Sequence, residues 1–199
     1  INILGFLSHF GNTYLSRSNK EIISIFNSSI KKLKSLNKRY PDYQISIGDT
    51  PSSSIIKSYP DFINEIRPGN FIFYDLAQNK IGSCKLDDIA LRVVCPIVSI
   101  YEDRSCMLIY CGSVHLSKDY ILENEKKCYG YVYQGDYWSL DNKIGKIVSL
   151  SQEHGIVKFD KNEGFNIGQN VSIVPVHSCL TVDKMRELYC DNTKIEIMI

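Results

Sequence analysis

Over its first 80 residues the chain alternates short apolar runs with helical segments, and no other feature restricts its fold as much. Residues 3–7 form an apolar run of the kind expected for a strand buried on both faces. Ser18-Asn-Lys-Glu21 then has the form of a capping box, and the helix it opens carries Ile22, Phe26, Ile30, Leu33 and Leu36 on one face. The basic residues of its second half (Lys31, Lys32, Lys34, Lys38, Arg39) read as a solvated face that suits the helix dipole. Residues 44–47 are the next strand. Gly48-Asp-Thr-Pro51 follows at once, with Thr50 placed as a cap and Pro51 as the first residue of a short helix to about Tyr59. Arg67-Pro-Gly69 leads into a third strand over 70–75. Strand, helix, strand, helix, strand demands a parallel sheet with helices covering it. Three parallel strands alone would leave raw edges, so further strands are expected upstream of Ile1.

From about Gly82 the texture changes. Residues 89–100, 107–111, 129–133, 146–150, 155–159, 170–174 and 194–198 are short β-branched or aromatic runs. Turn signals separate them at Gly135-Asp136, Asp141-Asn142 and Asn162-Glu-Gly164, and a short helix is expected over 182–189. The chain therefore reads as α/β plus β: residues 1–80 carry parallel strands and helices, and residues 81–199 form an antiparallel β domain.

Composition excludes some functions. The 23 basic and 22 acidic side chains leave a formal charge of +1, against the basic excess of a nucleic-acid binder. No apolar run approaches the roughly 18 residues that cross a membrane. Seven cysteines, an odd number without paired spacing, read as reduced thiols of a cytoplasmic protein rather than a disulfide framework.

Three stretches could carry chemistry. Gly48-Asp-Thr-Pro-Ser52 ends a strand and opens a helix; it is a phosphate cradle or an ordinary capped turn. His9-Phe-Gly-Asn-Thr-Tyr14 concentrates His9, Asn12, Thr13 and Tyr14 at the end of the preceding strand, and Tyr74-Asp75 repeats this at the third. Such groups need partners, from the fold or from a ligand. Pro175-Val-His-Ser-Cys179 places His177 and Cys179 two residues apart, on one side of an extended chain. Imidazole and thiolate suit zinc, although a buried His beside a buried Cys has the same spacing. His154 is a possible third ligand, and His115 is equally open to structural and functional readings.

Taken in order, these stretches with Glu65-Ile-Arg-Pro-Gly69, Phe73-Tyr-Asp75, Gly82-Ser-Cys84, Leu116-Ser-Lys-Asp119 and Ser151-Gln-Glu-His-Gly155 resemble the C-terminal half of the D-serine dehydratase/D-threonine aldolase family, relatives of alanine racemase. The resemblance implies the C-terminal part of an alanine-racemase-like β/α barrel followed by an antiparallel β domain. It also implies pyridoxal phosphate as cofactor, with zinc or another divalent metal beside it. By position, Gly48, Asp49 and Thr50 match the phosphate-holding loop, and Tyr14 and Tyr74 match tyrosines near the cofactor. His177 and Cys179 match the metal pair; cysteine at the second place resembles the dehydratases, where the aldolases tend to carry aspartate. The Schiff-base lysine is expected upstream of Ile1, since neither Lys80 nor Lys118 matches its position; no catalytic residue is assigned in this chain, which alone is expected to be inactive. Tyr110-Cys-Gly112 replaces the usual Asp-Ala-Gly and marks a divergent branch. The implied function is a lyase acting on D-serine or a similar D-β-hydroxy amino acid, homodimeric when full length. A racemase, a D-threonine aldolase-type enzyme, and a non-catalytic zinc-binding or assembly domain are the alternatives.

Overall fold

The structure is a computed structural model that describes residues 1–135, 141–159 and 164–197. The chain divides into two compact units, one of Ile1–Tyr74 with Gln78–Asp88, the other of Asp75–Ala77 with Ile89–Ile199.

In the first unit β1 (Gly5–His9), β2 (Gln44–Gly48) and β3 (Glu65–Ile66) form a parallel sheet in that order. Helix α1 (Asn19–Arg39) joins the first two strands and α2 (Thr50–Ile55) follows β2. Ser18 caps α1 by accepting the Glu21 amide at 3.3 Å, while the Glu21 carboxylate reaches back to the Arg17 amide at 2.7 Å rather than to Ser18. The apolar stripe of α1 lies where its spacing puts it: Phe26 and Leu33, flanked by Ile30 and Leu36, pack with Phe10, Ile45 and Ile47.

Four sequence expectations change here. The first strand begins at Gly5 and has only one covered face, so Leu7, pointing the other way from its neighbour Phe6, is 69% exposed. The cap of α2 is Asp49, not Thr50, because the Asp49 carboxylate reaches the Ser52 amide at 2.7 Å. Helix α2 also stops at Ile55, short of Tyr59. The third strand is only Glu65–Ile66, and Asn70–Ile72 is a 3-10 turn instead of a strand. The Asn70 amide is spent on the Thr50 hydroxyl at 3.0 Å, and its carbonyl accepts the Phe73 and Tyr74 amides. Those local bonds take the groups a sheet ladder would need.

Helix α3 (Leu76–Ile81) carries residues of both units. The second unit is a closed six-stranded antiparallel barrel. Its strands are β4 (Val93–Tyr101), β5 (Cys106–Ile109), β8 (Gly130–Gln134), β9 (Lys143–Leu150), β10 (Gly155–Phe159) and β11 (Asn170–Pro175). Between β5 and β8 lie α4 (Ser113–Leu116), β6 (Ile121–Glu123) and β7 (Lys126–Cys128). Their order round the barrel is β10-β5-β4-β11-β8-β9, with β9 pairing back to β10. Alternation fills the interior: in β10, Gly155, Val157 and Phe159 are buried while Ile156 and Lys158 are exposed. Met107, Ile109, Val132, Ile147, Val171 and Ile173 complete the core.

Helix α5 (Ser178–Met185) starts earlier than residue 182 and stops at Arg186, whose φ of 56° is left-handed. Two hairpins, β6–β7 and β12 (Leu188–Cys190) with β13 (Thr193–Ile195), turn through residue pairs that both have positive φ, Asn124-Glu125 and Asp191-Asn192. The Asp141-Asn142 turn leads into β9. Asp136 and Asn162-Glu163 of the other turn signals, and Met198 of the last apolar run, lie outside the described residues. None of the seven cysteines forms a disulfide.

Candidate active site

The sequence-predicted site residues fall into two groups, one in each unit. In the first unit the group gathers at the start of α2. Asp49 is buried, and its carboxylate accepts from the Ser52 amide at 2.7 Å and the Thr13 hydroxyl at 2.8 Å. Thr13 belongs to the 3-10 turn Gly11–Leu15 that ends β1, so Asp49 ties two successive strand ends together. Tyr14, on the same turn, stacks on His9 with ring centroids 5.8 Å apart and accepts the Thr50 amide at 3.4 Å. The Ser54 hydroxyl lies 2.8 Å from the Thr50 carbonyl and 3.0 Å from the Tyr74 hydroxyl. Tyr14, Thr50 and Tyr74 are therefore joined through one run of polar contacts, with Gly48 and Asp49 beside them.

Gly48 has a packing reason to be glycine. A side chain there would come within 2.8 Å of the Arg67 carbonyl and 3.0 Å of the Arg67 Cβ. Arg67 is itself fixed across the sheet, donating to the Ser46 hydroxyl at 2.6 Å and the Ser8 carbonyl at 3.1 Å. Ser52 stands out in the first turn of α2: its side chain is 2% exposed, yet its hydroxyl makes no hydrogen bond among the described residues.

The second group lies where β11 runs into α5. His177 is extended (φ −134°, ψ 95°), but Ser178 and Cys179 are already helical, so the two-residue alternation of a strand does not apply to this pair. The helix starts here because the buried Asp75 carboxylate accepts the Ser178 amide at 3.0 Å. His177 Nδ1 lies 2.7 Å from the Asp119 carboxylate. Burial, and next the charge of Asp75, push the Cys179 thiol above its ordinary pKa. Among the described residues no three His, Cys, Asp or Glu side chains converge as a metal cluster.

His154 and His115 are drawn together elsewhere in the barrel unit. Both rings pack on Tyr110, with centroids 5.6 and 5.4 Å away. The backbone of 151–152 accepts the Ser113 and Val114 amides at 3.0 Å each, an approach that Gly112 permits by lacking a side chain. Ser52 belongs to the phosphate-cradle stretch read from the sequence, but Asp119 and Ser54 lie outside the expected site residues. Of those two, only Asp119 had a signal, its place in Leu116-Ser-Lys-Asp119, but its partner is 58 positions away.

Residues 90–190, just over half of the chain, match the putative serine dehydratase domain. The chain belongs to the D-serine dehydratase family. The D-serine dehydratase of Dictyostelium discoideum is 33% identical over 218 residues, covering 98% of this chain and 52% of that protein. The chain shares an alanine-racemase-like fold with solved structures. An alanine racemase-like protein from Idiomarina loihiensis superposes with a TM-score of 0.77 at 24% identity, over 90% of this chain and 50% of that one. D-threo-3-hydroxyaspartate dehydratase from Delftia sp. HT23 gives 0.77 at 22% identity, over 96% of this chain and 54% of that one. A cysteine-to-alanine variant of that enzyme has been solved in a metal-free form. The chain spans about half the length of these family relatives. No helix among the described residues is long and apolar enough to cross a membrane.

Proposed function

We propose that this chain supplies part of the site of a pyridoxal-phosphate-dependent dehydratase acting on D-serine or a similar D-β-hydroxy amino acid. The observation that carries this is the match of residues 90–190 to the serine dehydratase domain, a span holding both His177 and Cys179. The three parallel strands belong, in this reading, to an alanine-racemase-like β/α barrel, and the six-stranded barrel is its companion β domain. The cytoplasmic setting accords with seven cysteines outside any disulfide, four of them buried.

The start of α2 is suited to a phosphate group. Among the described residues the Ser52 hydroxyl is a buried donor without a partner, and the Thr50 amide has only a 3.4 Å bond to Tyr14. Tyr14, Thr50, Ser52 and Tyr74 would hold the cofactor. Asp49 would shape the loop rather than touch the phosphate, since its carboxylate is already engaged and would repel a second anion. Gly48 would likewise act by letting Arg67 approach. No lysine of this chain is assigned to the cofactor. When bound, pyridoxal phosphate supplies an electron sink for negative charge at the substrate α-carbon.

His177 and Cys179 would hold a divalent cation, with zinc favoured by one imidazole and one sulfur donor. Such a cation supplies Lewis acidity toward the β-hydroxyl that leaves as water. The role of the chain is then orientation: Asp75 holds the first turn of α5, so Cys179 is carried on a fixed backbone next to His177.

The test is product analysis on the intact protein with pyridoxal phosphate, zinc and D-serine. Pyruvate and ammonia are expected, and Cys179→Ala should abolish their release while cofactor absorbance is kept. Unchanged activity in that variant would remove zinc from the function. D-serine converted to L-serine without pyruvate would replace the dehydratase by a racemase.

A further inference from the structure

We propose that Asp119 is a positioning residue: it holds His177 as the Nδ1–H tautomer, so that Nε2 presents its lone pair to the cation. The proposal rests on the assignment of His177 as a metal ligand and extends it to a residue that contacts no metal.

The two side chains come from distant parts of the barrel unit, 58 positions apart, and meet at 2.7 Å. An ionised carboxylate only accepts hydrogen bonds, so a proton between these atoms belongs to Nδ1. In the neutral ring that leaves Nε2 as the only nitrogen with a free lone pair. Both sides of the contact are anchored. The Asp119 amide donates to the Ser117 hydroxyl at 3.1 Å, and Ser117 is buried with a left-handed φ of 75° where α4 ends. On the other side the His177 carbonyl accepts from the Thr181 amide at 3.1 Å and the Thr181 hydroxyl at 2.9 Å. The imidazole is thus held by a carboxylate at one nitrogen and by its backbone at the head of α5. Carboxylates in this relation to a ligating histidine orient the ring and raise its basicity.

The competing account is a partly exposed ion pair, since the side chains of His177 and Asp119 are 39% and 50% exposed. Such a pair would contribute little and would need a protonated ring, which cannot ligate a metal. The two accounts differ in what a carboxamide can replace. Asparagine still offers an oxygen to Nδ1–H, and alanine offers nothing.

Zinc dissociation constants of the intact protein, measured by competition with a chromophoric chelator, test this in wild type, Asp119→Ala, Asp119→Asn and His177→Ala. Asp119→Ala is expected to weaken zinc binding roughly 10–100-fold, with Asp119→Asn in between. Nitrogen-15 correlation spectra of the metal-free protein should show His177 as the Nδ1–H tautomer in wild type, and a loss of that preference in Asp119→Ala. If Asp119→Ala binds zinc within about twofold of wild type while His177→Ala does not bind, the role of Asp119 is overturned and His177 remains a ligand. If His177→Ala binds zinc like wild type, the metal assignment fails and the proposal falls with it. A wild-type spectrum with the proton on Nε2 overturns the proposal whatever the zinc data.

Discussion

The two units of this chain treat their strand edges in opposite ways. In the barrel unit β9 pairs with both β8 and β10, and every other barrel strand likewise has two neighbours. In the parallel sheet, among the described residues, β1 and β3 have one neighbour each, and α1 covers one face only. The barrel is held by a closed ladder and an interior of alternating side chains. The parallel unit relies on single polar side chains, above all Asp49, to hold its strand ends together. Among the described residues every barrel strand is held from both sides and β1 and β3 from one, so the closed ladder has less room to relax around a deleted side chain.

The largest expected effect tests that contrast directly. Ile147 in β9 and Ile45 in β2 are both fully buried. Truncation of either to alanine removes the same atoms, at a cost of about 2–5 kcal/mol that depends on how far the site can collapse. Ile147→Ala should fall near the top of that range and Ile45→Ala near the bottom, measured by equilibrium denaturant unfolding. Equal losses would break the comparison.

A smaller effect is expected at Asp49. Asp49→Ala removes the α2 cap and one of two acceptors of the buried Thr13 hydroxyl, the other being the Phe10 carbonyl, for about 1–3 kcal/mol. Asp49→Asn should recover part of this loss, because a carboxamide oxygen also caps a helix. Thermal unfolding of the two variants checks it, and a loss in Asp49→Ala no larger than at an exposed aspartate would mean the loop is held some other way.

The smallest effect is a pH dependence in the barrel unit. Burial lowers the pKa of His115, opposed by the Glu153 carboxylate and reinforced by His154. A lowered value means the unfolded chain takes up this proton first as pH falls, so stability is lost from about 6.5 downward to the folded value. His115→Gln should flatten that part of the stability profile. An unchanged slope would place the titration elsewhere.

Much of the fold was legible from local pattern. The apolar stripe of α1 and the alternation over Gly155–Phe159 needed only the periodicity of helix and strand. The run Phe71-Ile-Phe73 has the composition of a strand and is not one, because its neighbour Asn70 is bonded to Thr50, 20 residues earlier. At the candidate site, residue types were readable and roles were not. Gly48 matches the phosphate-holding loop by position, and the space a side chain would fill there belongs to Arg67.

The sequence by itself determined that parallel α/β gives way to short antiparallel strands, which side of α1 is buried, and which motifs carry the family resemblance. All of these are written in neighbouring residues, so spacing alone reveals them. Only the tertiary structure decided that β9 and β10 close a barrel, that Asp49 rather than Thr50 caps α2, and that Asp75 starts α5 at Ser178. It alone brought Asp119 to His177. Barrel closure, the start of α5 and the Asp119 contact each depend on a hydrogen-bond partner from another element, whereas Asp49 caps its own helix and is fixed further by Thr13 from the turn after β1.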